Sequence, residues 1–245
     1  MIKRIIKYLI VWRLVTLVVA YFATSVLPIK DCCQEFGKTI DLTYFANIWA
    51  NFAGGDFLAL AKEGYGPPLG LGTYIFFPLF PWLIGQLVLI IPDYLTSGLF
   101  LVHLSLVLAL YFLYQLVKLD YKANIAKLTL ILLMIFPTAF FFGSVYTESF
   151  FLLLVVLTFY LARKRFFLLA CLVALLVSAT RFAGIFLWPS LIWEVWQEHG
   201  KRKAKEGIDS TLIWLALPPL GLLSYMTYLF VRAGDACLFR QVSHD

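Results

Sequence analysis

ESFFLLLVVLTFYLARKRFFLLACLVALLVSATR, residues 148 to 181, carries a carboxylate at one end, a guanidinium at the other and a basic triplet midway through an otherwise apolar run. Lys and Arg collect in short cytoplasmic loops, so Arg163-Lys164-Arg165 reads as the cytoplasmic turn of a helical hairpin. Glu148 lies fifteen residues before Arg163, and Arg181 lies sixteen after Arg165. At the helical rise both charges arrive ~22 to 24 Å above the turn, nearly level with each other. That height is toward the external side but still within the bilayer, where an ionised group costs several kcal/mol and faces a partner or a wet cavity. Two readings stay open: a structural salt bridge between neighbouring helices, or a polar cavity open to the outer leaflet.

The rest of the chain sets this hairpin in a membrane. Of 245 residues, 62% are hydrophobic and only 14% charged, with a mean hydropathy of +0.88. Soluble domains are roughly a quarter charged. The expectation is one polytopic membrane domain over residues 1–245, all-α, since a lipid-exposed backbone must satisfy its own hydrogen bonds. The net charge of +6 falls in short clusters between apolar runs, which is topology information and excludes nucleic acid as a partner. Cys32, Cys33, Cys171 and Cys237 lack zinc spacing, and His103, His199 and His244 are scattered. No P-loop, GxGxxG, Ser-His-Asp order or internal repeat is present, so no cofactor and no metal are expected.

Apolar runs at 5–27, 74–91, 98–117, 124–147, 149–162, 166–180, 182–197 and 211–231 are candidate spans, each judged against the roughly 20 residues needed to cross. The first has a basic start like a signal peptide but no small-residue cleavage site, and reads as a retained helix. Basic clusters at Lys3-Arg4-Lys7, at Lys118, Lys122 and Lys127, at Arg163-Lys164-Arg165, and at Lys201-Arg202-Lys203 with Lys205 should all be cytoplasmic. An odd number of crossings must then separate the external loop after the first helix from Lys118, yet two apolar runs lie between. The run 74–91, with Pro78 and Pro81, is read as a re-entrant or surface helix. Seven crossings remain, with the C-terminus outside. Arg13 is expected to snorkel toward the cytoplasmic surface.

The external loop, 28–73, is expected to be a structured lid. Phe45, Ile48, Trp49 and Phe52 fall at i, i+3, i+4 and i+7, the pattern of an interfacial amphipathic helix. Gly54-Gly55 are expected to end it. Asp56 then either caps the next short helix or serves catalysis beside Glu148 and Arg181.

In order along the chain, NFAGGDFLALAKEGYG (51–66), IFFPLFPWLI (75–84), FPTAFFFGSVYTESFFLLLVVLTFYLARKR (136–165) and SATRFAGIFLWPSLIWE (178–194) resemble the GPI mannosyltransferase II (PIG-V) family and its prokaryotic relatives. These are membrane glycosyltransferases of the GT-C fold, and the resemblance runs from about Trp49 to Trp193. It implies a seven-helix module with a helical first external loop. It also implies transfer of a hexose, mannose in the family, from a polyprenyl-phosphate sugar donor to a lipid-linked or surface glycan acceptor on the external or lumenal side. Inverting transfer needs a carboxylate to accept the acceptor hydroxyl's proton and a cation to steady the leaving phosphate. Asp56 or Glu148 suits the first role, and Arg181 the second, because a guanidinium matches paired phosphate oxygens. Compact loops and the lack of a retention signal lean toward a prokaryotic plasma membrane.

The family's loop motif begins Trp-Asp where this chain has Phe52-Ala53. Three explanations are open: Asp56 has taken over the role, the chain is a pseudoenzyme or inactive subunit that binds polyprenyl-phosphate lipid or a partner, or Ala53 is an introduced change. RAGDACLFRQVSHD (232–245) resembles the family's Gly-Asp turn, after which longer members continue, so a truncated member is a further expectation.

Overall fold

The computed structural model describes residues 2–26, 42–66, 69, 71–201 and 211–240. Among them the chain is helical throughout, with no strand. Its α-helices are α1 (Ile2–Val26), α2 (Leu42–Asn47), α3 (Ala53–Glu63), α4 (Leu79–Val88), α5 (Tyr94–Asp120), α6 (Ala123–Ile135), α7 (Glu148–Arg163), α8 (Phe167–Ser178), α9 (Leu187–Lys201), α10 (Thr211–Trp214) and α11 (Leu217–Ala233). Short 3₁₀ segments at Ile48–Ala50, Leu71–Ile75, Ala139–Gly143, Phe182–Phe186 and Leu238–Arg240 join them.

Three of these are long and apolar enough to cross a membrane: Ile2–Val26, Tyr94–Asp120 and the nearly continuous Leu212–Ala233. Other apolar runs are divided. The run 124–147 is helical only to Ile135, because Phe136 turns extended ahead of Pro137, the conformation that a following proline imposes. It continues as a 3₁₀ segment and bends up to Thr147. The runs 166–180 and 182–197 meet at a second break, where α8 ends and Arg181 is extended (φ −153°, ψ 147°). Non-helical backbone inside a bilayer is tolerated only where protein buries it or it lines a wet cavity. Both breaks occupy the same end of the molecule.

α5 and α7 form the spine, with α8 against α7 and α11 against α8. Both spine helices bury small residues, Ser97, Gly98, Ser105 and Ala109 on α5 and Ser149, Thr158 and Ala162 on α7. Such residues let helix backbones approach closely where lipid supplies no hydrophobic drive. Asp120 at the end of α5 receives Arg163 at the end of α7, 2.5 Å apart, so these two helices run parallel. Ile5 packs with Leu110 and Tyr114, bringing the first basic cluster to that same end as the clusters of 118–127 and 163–165. The fourth cluster, beyond Lys201, and Cys32, Cys33 and His244 lie outside the described residues.

Arg13 departs from its expected course. Instead of snorkelling toward Lys7, its Nη1 donates to Gly143 O at 3.1 Å and its guanidinium lies 3.7 Å from the centre of the Trp49 ring. The broken segment 136–147 exposes a backbone carbonyl beside an aromatic face, and together these offer a buried guanidinium more than an apolar climb to water would. Arg13 thereby ties α1 to both the Ile48–Ala50 segment and the 136–147 break. Replacing it with methionine should lower stability by ~2 to 4 kcal/mol, the sum of a desolvated cation–π contact and a charged hydrogen bond. Thermal unfolding in detergent checks this, with Arg13→Lys expected to recover part of the loss.

α8 and α11 touch at Gly221, where a Cβ would lie 2.1 Å from Leu175 O and 2.3 Å from Ser178 Oγ. The Ser178 hydroxyl also donates to Pro218 O across the crossing at 2.6 Å. Gly221→Ala should force the pair apart and cost ~1 to 3 kcal/mol. The same unfolding measurement reads it, and a melting point equal to the unchanged chain's would contradict the close crossing.

Candidate functional site

The two helix breaks, the 71–77 segment, the start of α3 and the turn after α11 surround one cleft of about 730 Å³. Aromatic rings, among them Phe57, Phe76, Phe77, Phe141, Phe151 and Phe182, make most of its walls. Polar groups enter from Tyr146, Thr147, Glu148, Thr180, Arg181 and Arg240. Glu148 opens α7, and Arg181 sits just past the end of α8, so both side chains project from helix ends into the space that the breaks leave.

These two meet. Arg181 Nη2 donates to Glu148 Oε1 at 2.7 Å, and the guanidinium also lies 5.8 Å from the centre of the Phe151 ring. The other carboxylate oxygen, Glu148 Oε2, is buried and has no hydrogen-bond partner among the described residues. An ionised carboxylate offers about four acceptor sites, and a buried acceptor left empty costs ~1 to 3 kcal/mol. The pair therefore leaves one carboxylate oxygen without a protein hydrogen bond among the described residues.

The chain at 49–51 rivets the loop that leads into Glu148. Val145 N donates to Trp49 O at 2.7 Å, and Tyr146 Oη donates to Asn51 O at 2.9 Å. Gly54 permits this approach, since a Cβ there would stand 3.1 Å from Val145 O. Between Asn51 and α3, Phe52 is held at φ 53°, ψ −131°, a conformation that costs a bulky residue on the order of 1 to 3 kcal/mol. On the other wall, Tyr225 Oη donates to Tyr74 O at 2.7 Å and the Tyr65 hydroxyl donates to Phe76 O, fixing the 71–77 segment.

Of the three predicted site residues, Glu148 and Arg181 are brought into contact inside the cleft. Asp56 is exposed, in the first turn of α3. The described residues of α3 that line the cleft are Ala53 and Phe57. Asp56 is not among the residues that line the cleft. The expected helix start is corrected. α3 begins at Ala53, its cap position is Phe52 with no side-chain bond, and Gly54-Gly55 are inside the helix instead of ending the one before. Packing of Gly54 on Val145 overrides the helix-stopping tendency of the glycine pair. The amphipathic stripe is also split: Trp49 is buried and Phe52 exposed, because the chain turns at 51–52.

Sequence reading missed Arg240 and Tyr146. Arg240 reaches the cleft because Gly234 takes a left-handed conformation (φ 75°) after α11 and Asp235 Oδ1 accepts from Cys237 N at 2.8 Å. The Gly-Asp pair was the available signal for that turn.

Comparison of the chain with family profiles, with curated proteins and with solved structures finds no match. The site must be judged on its own geometry.

A double-mutant cycle measures how far the ion pair supports the fold. Glu148→Gln and Arg181→Gln singly should each destabilise by ~1 to 3 kcal/mol, and the double variant by less than their sum. Additive losses would mean that the two charges do not interact in the folded protein.

Proposed function

We propose that this chain is a membrane glycosyltransferase that moves a hexose, mannose by family resemblance, from a polyprenyl-phosphate donor to a lipid-linked or surface hydroxyl acceptor. The observation that carries this reading is the unpartnered Glu148 Oε2 beside a guanidinium in an aromatic-walled cleft. In the proposed reaction the acceptor hydroxyl docks on Oε2 and its oxygen attacks the sugar's anomeric carbon. The bond from that carbon to the phosphate oxygen breaks, its electron pair leaving with the phosphate. The hydroxyl proton passes to Glu148, and the charge gained by the phosphate is steadied by guanidinium. Aromatic walls suit sugar faces and isoprenoid chain alike.

The PIG-V-like and GT-C-like assignment belongs to this proposal, supported by the ordered motifs and by the helical external segment packed over the site. So do the seven crossings, the placement in a prokaryotic plasma membrane, and the external orientation of the cleft, which lies opposite the three described basic clusters. In this account Glu148, not Asp56, is the base.

One observation favours a second reading, a pseudoenzyme that binds the lipid phosphate without transfer. Ala53, at the place of the family's aspartate, lies on the cleft wall itself. Purified chain incubated with radiolabelled polyprenyl-phosphate mannose and candidate acceptors tests the two. The enzyme reading expects transfer that falls ~10²- to 10⁴-fold in Glu148→Gln. Donor binding with no transfer, and a large gain of transfer in Ala53→Asp, would establish the second reading instead.

A further inference from the structure

The cleft holds a second guanidinium. Arg240 ends the last 3₁₀ segment, Leu238–Arg240, and lines the same space as Arg181 and Glu148. Its position is built by packing. The neighbouring Phe239 ring lies 5.6 Å from Phe77, 5.7 Å from Phe182 and 6.3 Å from Tyr225 between centroids. Phe182 follows Arg181 and Phe239 precedes Arg240, so the ring contact between Phe182 and Phe239 ties the two arginine-bearing segments to each other.

Charge decides what such a place can hold. Among the described lining residues, Glu148 contributes one negative charge and Arg181 and Arg240 one positive charge each, leaving a surplus of a single positive charge. Arg181 already spends one edge on Glu148, yet a guanidinium has five N–H donors in a planar fork. Arg240 brings a full set. Two guanidiniums on the walls of one cleft match a tetrahedral phosphate bearing several acceptor oxygens, better than they match a carboxylate.

We propose that Arg240 joins Arg181 in a two-arginine seat for the phosphate of a lipid phosphate ester. This deepens the glycosyltransferase reading and rests on it for the identity of the lipid. The net charge fits a phosphodiester, which carries one negative charge. When the ester bond to the sugar breaks, the phosphate gains a second negative charge, and the second guanidinium stabilises that product state most. Arg240 is thus a binding residue whose weight rises along the reaction.

Binding of farnesyl phosphate to the full chain in nanodiscs tests the seat, with farnesol and inorganic phosphate as comparison probes. Arg240→Gln should weaken farnesyl phosphate about tenfold or more, and Arg240→Lys less, because charge survives while the fork is lost. Farnesol should bind equally to all three proteins. Inorganic phosphate that competes in the unchanged chain and fails to compete in Arg240→Gln supports the seat with free phosphate as a ligand; phosphate that never competes supports it for the lipid ester alone. Equal farnesyl phosphate affinity in Arg240→Gln and the unchanged chain overturns the proposal. Thermal unfolding accompanies each variant, and Arg240→Lys replaces Arg240→Gln if the latter unfolds early. Affinity that depends on Arg240 in a chain that transfers no sugar would sink the enzyme reading and leave the seat standing. Sugar transfer together with unchanged affinity in Arg240→Gln would do the reverse.

Discussion

The ion pair between Glu148 and Arg181 is the contact around which the upper half of this molecule is arranged. Glu148 opens α7 and Arg181 follows the end of α8, so their meeting fixes how these two helices stand against each other. The pair uses only one carboxylate oxygen. A purely structural bridge would be expected to close on itself, because a buried half-satisfied polar group costs more than an apolar replacement. The second oxygen has no protein donor among the described residues, and the proposed reaction assigns it to the acceptor hydroxyl.

The surrounding structure serves to hold that opening. Helices end early at Ile135 and Ser178, and both freed stretches of backbone are taken up by neighbours. Trp49, Asn51 and Arg13 hold the stretch before α7. The stretch after α8 folds back on the end of that helix, where Gly184 sits so tightly that a Cβ would come 2.4 Å from Val177 O. The energetic cost of broken helices is offset by these specific contacts, and the geometric return is a recess lined by helix ends. Rigid scaffold below and irregular backbone above is the usual division between fold and site.

How much of this is legible in the amino-acid order varies with the range of the interaction. The level placement of Glu148 and Arg181 follows from residue counting along two helices from one anchor, and local regularity carries it. Three helices with the length and apolarity of membrane spans follow from composition in the same way. What resists reading is anything set by distant packing. Apolar residues in 136–147 look the same whether helical or broken, and Pro137 alone hints at the break. Arg13 turns inward only because Gly143 and Trp49, 130 and 36 residues away, are there to receive it. The Gly54-Gly55 pair reads as a helix stop because the approach of Val145 has no local signal, and with that misreading the next helix starts at Asp56 instead of Ala53. Arg240 is invisible without Phe182 and Phe239 in contact.

The central claim is that the helix breaks enclose a water-filled cleft reached from the face opposite the basic clusters. Thiol labelling tests it most directly, using a chain whose four native cysteines are replaced by serine and a charged, membrane-impermeant reagent is added to one side of sealed vesicles. The account predicts that Ala53→Cys and Ala183→Cys react from the side away from Lys3, Lys118 and Arg163, while Leu104→Cys, on the outer surface of α5, does not. Reaction at Ala53→Cys and Ala183→Cys only from the side of the basic clusters, or at neither position from either side, would contradict it.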